Sequence, residues 1–232
     1  MTLFAQKLEL LWVYPLSPPL QARHSPMKKL LLLSAIFLNL QLCLADSSGF
    51  LGIDHKLPFD NSGIWSRDTQ KSVELGSAGL LVLGALYEGS ESKLGKTYWQ
   101  AIDAMVSADV TATIVKSVFK RQRPIDGNNP NAFYNNPNDK SFPSGEVTHI
   151  TAIVTPFILN YKDENPKVWG LVALPAYVGI ARMKSQAHWQ TDVLAGLALG
   201  SGMGYLAINR SVPWSLTLLP SGAVVGFKKN FN

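Results

Sequence analysis

Residues 98–124 read YWQAIDAMVSADVTATIVKSVFKRQRP. Ile102, Met105, Val106, Val110, Ile114 and Val118 fall on a shared side at helical spacing, so 98–121 is expected to be an α-helix with one apolar stripe. Lys116 and Arg123 are seven residues apart, two helical turns, which places both cations on one face. Pro124 disfavours helical geometry at Arg123 and should end the helix there. A helix end presenting a Lys and an Arg to one space suits an oxyanion. Lys120 and Arg121 beside them equally suit a solvated basic face, and on this segment alone that blander reading wins.

Helical patterning extends in both directions. Residues 65–74 are amphipathic, and 75–87 are almost wholly apolar, with Gly and Ala that permit close helix contacts. Residues 147–161, 169–183 and 188–208 read as three further helices. The stretch 123–141 carries Pro124, Gly127, Pro130, Pro137 and several Asn, and reads as a long surface loop. Loops of that length in a compact domain tend to carry function. The tail differs: 215–219 and 223–227 are short apolar runs around Pro220-Ser221-Gly222, expected to form a β-hairpin. The expected fold class is all-α, a bundle of about five to six helices with a short C-terminal hairpin.

With 232 residues, 47% of them apolar and 16% charged, the chain supports one core-rich domain and excludes disorder. Met27-Lys28-Lys29, the apolar run 30–38 and Cys43-Leu44-Ala45-Asp46 have the form of a secretory signal peptide. The expected organisation is therefore an upstream mis-start over 1–26, a signal peptide over 27–45 cleaved after Ala45, and a domain over 46–232 with its core at 65–208. Removing 1–45 leaves 17 basic and 15 acidic residues. That near balance takes away the support for nucleic acid as a partner. The single cysteine, Cys43, lies in the signal, so the mature chain has neither disulfide nor thiol chemistry. None of the helices offers 18 clean apolar residues, which favours a soluble or peripherally membrane-attached domain over a polytopic one. The expected location is a bacterial periplasm, with the cell membrane as the alternative.

Two more stretches carry chemistry. In Phe142-Pro143-Ser144-Gly145-Glu146 a loop gives way to a helix at Ser144. Free N–H groups, a hydroxyl and a glycine at that point make either an anion site or an ordinary N-cap. In Arg182-Met183-Lys184-Ser185-Gln186-Ala187-His188-Trp189-Gln190-Thr191-Asp192, His188 and Asp192 are i and i+4 and face the same way on a helix. A carboxylate there can hold the imidazole in one tautomer and leave the other nitrogen free to attack. A structural hydrogen bond is the commoner use of such a pair.

Together these stretches follow one ordered pattern: Lys-x6-Arg-Pro, then Pro-Ser-Gly, then Arg-x5-His-x3-Asp. The chain therefore resembles the type 2 phosphatidic acid phosphatase and vanadium haloperoxidase superfamily over roughly 65–208. His188-Trp-Gln-Thr-Asp192-Val-Leu-Ala-Gly196 is also similar to the corresponding stretch of bacterial class A nonspecific acid phosphatases. The resemblance implies that Lys116, Arg123 and Arg182, with the Ser144 hydroxyl and the Gly145 amide, bind the phosphate oxygens. It implies His188 as the nucleophile forming a phosphohistidine, Asp192 as its orienting group, and no metal or other cofactor.

Two positions depart from the family pattern. Ala181 stands where the family has Ser. Glu146 stands where a His normally protonates the leaving oxygen, and cations around it should lower its pKa further from a donor's. His149, one turn on, is a doubtful substitute. The expected function is an exported phosphatase of a phosphomonoester or diphosphate, with Glu146 in the acid/base role. A phosphorylated lipid is the expected substrate, suggested by 75–87 and 147–159, and a small phosphate ester the competitor. Trp189 and the Phe133-Tyr134 loop are candidate substrate contacts. A vanadium haloperoxidase and a non-catalytic phosphate head-group binder are the alternatives.

Overall fold

A computed structural model describes residues 49–210, and the backbone alone over 214–219 and 222–227. The expected mis-start and signal peptide lie outside the described residues. Among the described residues there are five α-helices: α1 (Arg67–Glu88), α2 (Lys93–Phe119), α3 (Gly145–Tyr161), α4 (Ala173–Lys184) and α5 (Gln190–Asn209). The described residues are thus mostly helical, as expected. The amphipathic and apolar stretches 65–74 and 75–87 join into the single helix α1, capped by Ser66, whose hydroxyl accepts from the Thr69 N–H. Ser92 caps α2 in the same way through the Gly95 N–H.

α3 is the central element. Val147, Ile150, Ile153, Val154 and Ile158 anchor a core shared with Leu81 of α1, Val178 of α4 and Val193 of α5. α2 presents Ala101, Ala104, Ala108 and Ala112 as its buried side. α5 approaches α3 through Gly196, Gly200 and Gly204. A β-carbon at those positions would stand 2.8 Å from the Ser144 carbonyl oxygen, 2.5 Å from that of Thr148 and 2.5 Å from Thr155 Cβ. Only glycine permits this approach, and it seats the start of α5 against the start of α3, where the Ser144 N–H donates to the Asp192 carbonyl at 2.9 Å.

The structure corrects the expected boundaries, two of them at the residues singled out for chemistry; elsewhere α2 begins at Lys93 and α4 at Ala173. α2 ends at Phe119, and Lys120 takes a left-handed conformation (φ 44°). Arg123 therefore lies in the loop, with extended backbone, and not on the helix face of Lys116. α5 starts at Gln190, so His188 sits in the turn before it. Among the described residues, α5 is long and apolar enough to cross a membrane, yet it is also the helix packed most closely on α3. In the tail, the backbones of 214–219 and 222–227 run antiparallel with Trp214 opposite Phe227. The turn and all side chains there are outside the described residues, so the hairpin remains an expectation.

Candidate active site

The first turn of α3 lies between the last turn of α2, the end of α4 and the turn entering α5. Each contributes a group identified from sequence. Lys116 reaches from α2 and donates to the Lys140 and Pro143 carbonyls at 2.9 and 2.6 Å. Its ammonium is pinned at the loop that delivers Ser144 and Gly145, and its Cε would lie 3.3 Å from a β-carbon at Gly145. Burial lowers the Lys116 pKa to about 8, against the opposing pull of Glu146. Arg123 crosses from the loop and donates to the Ala187 carbonyl at 3.3 Å. Lys116 and Arg123, which come from a helix and a loop, nevertheless line one cavity of about 240 Å³ together with Glu74, Asp109, Gly145 and Glu146.

Glu146 joins this cavity to the buried groups behind it. One carboxylate oxygen lies 3.0 Å from Arg67 and 3.3 Å from Arg182. The other lies 3.4 Å from His188 Nε2. Burial alone would raise the Glu146 pKa. Contact with His188 and the charge of Arg182 overcome this and hold it far below the ordinary carboxylate range. Arg182 is 4% exposed and donates to Gln70 at 3.1 Å. Burial brings its pKa down to about 10, with Glu146 opposing.

His188 is 1% exposed. Its Nδ1 lies 3.7 Å from Asp192, facing the carboxylate without a hydrogen bond, and neither ring nitrogen has a hydrogen-bond partner. The expected His–Asp pair is present as a facing pair, with Asp192 in the first turn of α5 and His188 before it. Asp192 is fully occupied elsewhere: it accepts from Arg121 at 2.5 Å, from the Ser141 hydroxyl at 2.5 Å and from the Trp189 N–H at 2.8 Å. The Ser144 hydroxyl is buried and unpartnered, while its N–H is bound to α5.

Two arginines and an aspartate escape the sequence reading. Arg121, read there as part of a solvated basic face, is 1% exposed. Besides Asp192 it binds Thr191, the Pro130 carbonyl and Asp54 (2.6 Å), and its guanidinium lies over Phe133 and Trp189. Asp54, from the lead-in before α1, also accepts from the Thr191 N–H and hydroxyl. Arg67 meets Glu146 from the first turn of α1. Trp189 is a packing residue, 1% exposed, its indole N–H donating to the Gln122 carbonyl. Phe133 packs on Phe119, and only Tyr134 of that pair is exposed. His149 is bound through Nδ1 to Asp109 of α2 at 2.8 Å.

A helical bundle thus gathers cations, a helix start and a buried imidazole around the first turn of α3. Residues 97–214 match the PAP2 superfamily, just over half of the chain, and the chain belongs to that superfamily. A lipid A 1-phosphatase of Porphyromonas gingivalis is 32% identical over 132 residues, 56% of this chain and 27% of that protein. The chain thus spans about a quarter of the length of that relative. A solved structure described as Aquifex aeolicus LpxE aligns with 62% of this chain and 85% of its own, at 19% identity and a TM-score of 0.44.

Proposed function

We propose that the protein is an exported phosphatase that releases phosphate from a lipid-linked phosphomonoester or diphosphate through a phosphohistidine at His188. The observation that carries this is the placement of His188: buried, without a hydrogen-bond partner, with Asp192 on one side and an anion, Glu146, held against Nε2 on the other. In this reading the Nε2 lone pair attacks phosphorus and the bond to the leaving oxygen breaks. Lys116, Arg123, Arg182, the Ser144 hydroxyl and the Gly145 N–H stabilise the charge on the three equatorial oxygens, with side-chain cations doing the work a metal does elsewhere. Water then attacks the phosphohistidine. The P–N bond breaks, its electron pair returns to Nε2, and the water proton passes to a base.

Glu146 is the base in this scheme. A carboxyl held ionised by His188 and Arg182 is a poor donor to a leaving alkoxide, and it becomes a competent base for the water proton only once it has left those partners. This favours a leaving group that needs no proton, such as the phosphate of a diphosphate. A lipid-linked substrate is supported by the name of the Porphyromonas gingivalis relative and by α1, which leaves Leu75, Leu80, Leu83, Leu86 and Tyr87 exposed at helical spacing. A row of large apolar side chains on one helix suits peripheral contact with a membrane.

The test is phosphate release by the purified domain from a chromogenic ester, a lipid phosphate and a lipid diphosphate. Release should be fastest from the diphosphate, should vanish in His188→Ala, and should pass through an acid-labile phosphoenzyme. Binding of phosphate without release from any of the three, in wild type and His188→Ala alike, would replace this reading with that of a head-group binding protein.

A further inference from the structure

Attack on phosphorus requires the reacting atoms to come within about 3–3.5 Å. Glu146 now holds that place: its oxygen lies 3.4 Å from His188 Nε2. Carboxylate and phosphoryl group cannot share it, so a phosphate that reaches His188 must displace Glu146. What Glu146 binds is then what the phosphate meets. Its partners are His188, Arg182 and Arg67. The first two belong to the site read from sequence; Arg67 does not. Arg67 shares one carboxylate oxygen with Arg182, at 3.0 Å, closer than Arg182 itself. Its other terminal nitrogen is buried and has no hydrogen-bond partner, and Arg182 Nε and the Ser144 hydroxyl beside the start of α3 are equally unpartnered. Buried donors of this kind are normally satisfied, and two of them belong to the arginines that hold Glu146.

We infer that Arg67 is a fourth cation of the phosphate site, and that Glu146 is an internal anion filling that site until a phosphoryl group displaces it. This rests on His188 being the atom a phosphoryl group approaches. Glu146 lines the open cavity and is 16% exposed, so its side chain can turn outward. That movement leaves it on the cavity side of the phosphoryl, opposite Nε2, which is where an attacking water enters in line.

Binding of inorganic phosphate to the full chain, measured by calorimetry, separates this from turnover. Arg67→Gln should weaken phosphate binding by about tenfold, the loss of one charge-assisted contact. Arg67→Lys should recover part of it. Glu146→Gln should tighten binding by about tenfold, because the competing anion is gone. In the double variant the gain from Glu146→Gln should shrink, since part of the space it frees faces Arg67. Unchanged affinity in Arg67→Gln, or no gain in a folded Glu146→Gln, overturns the inference. Arg67 is one-third exposed on the first turn of α1, and Glu146→Gln keeps shape, so a thermal melt of each verifies the fold. Phosphate binding that follows these changes in a protein releasing no phosphate from any ester would overturn the phosphatase reading and leave this one standing.

Discussion

The two sides of His188 are built differently. Behind it, Asp192, Arg121, Asp54, Thr191 and Ser141 form a closed network in which both carboxylates are tied, by hydrogen bonds of 2.5 to 2.8 Å, to residues far apart in sequence. In front of it, the Ser144 hydroxyl, Arg182 Nε and one Arg67 nitrogen are buried without hydrogen-bond partners. Folding completes the rear. On the proposed reading, a bound phosphate completes the front. Substitutions behind His188 should act on stability, and substitutions in front on affinity and rate.

The largest effect is expected from Arg121→Met. It leaves Asp54 and Asp192 buried without their shared counter-charge, which costs on the order of 3–5 kcal/mol. At about 2–4 °C per kcal/mol for a domain of this size, thermal unfolding should fall by roughly 10 °C. A drop below about 2 °C would mean that the rear network is not a scaffold. Asp192 gives the same side a pH signature. Burial would raise its pKa, but His188, Arg121 and Ser141 lower it below 3.8. A carboxylate depressed in the folded state contributes stability that is complete above its unfolded pKa and is lost as pH falls through the folded value. Acid unfolding should therefore steepen below about pH 3.8, and Asp192→Asn, already destabilised at pH 7, should lose that dependence.

This division also explains what the sequence could show. Helices appear through periodicity, and α1 to α5 each overlap an expected segment, but the expected apolar stripe of α2 is not its buried face: Val110, Ile114 and Val118 are exposed, and Ala101, Ala104, Ala108 and Ala112 are buried. Lys116, Arg123, Gly145 and Glu146 do meet around one cavity, and Arg182 and His188 meet Glu146, so the three short stretches that stand out in the sequence come together in the fold. Arg121 is two residues from Arg123 and looks no different from it. Its burial depends on Asp54, 67 residues earlier, and no local spacing signals such a partner. Arg67 is hidden for the same reason, being an ordinary first-turn cation of α1 until α3 brings Glu146 against it. α2 ends earlier than Pro124 suggests because left-handed Lys120, which terminates it, has no sequence signature as clear as the Gly usual at such an ending.

On the front, Lys116 should set an alkaline limit. Only its charged form attracts phosphate, and burial has lowered its pKa to about 8. As pH rises through that value the charge is lost in the free site, and the apparent affinity for phosphate should fall by up to about tenfold per unit. In Lys116→Arg the limb should move well above pH 9, whatever the replacement does to affinity at neutral pH. A limb that stays near 8 in that variant would assign it to another group.

Ser144→Ala carries the smallest effect on the fold and the clearest reading of the comparison. The residue is fully buried, and its N–H and carbonyl are both engaged, the N–H with Asp192 and the carbonyl with Thr148. Its hydroxyl has no partner. Removing a buried hydroxyl that makes no hydrogen bond takes away a desolvated polar group and leaves the backbone contacts in place, so stability should stay within about 0.5 kcal/mol of wild type or rise. Phosphate affinity should still fall by about three- to tenfold, because the hydroxyl donates to the anion once it is bound. Denaturant unfolding and phosphate titration on the same preparation measure both. A loss of more than about 1 kcal/mol in stability would show that the hydroxyl serves the folded protein, and the front of His188 would then be no different in kind from its back.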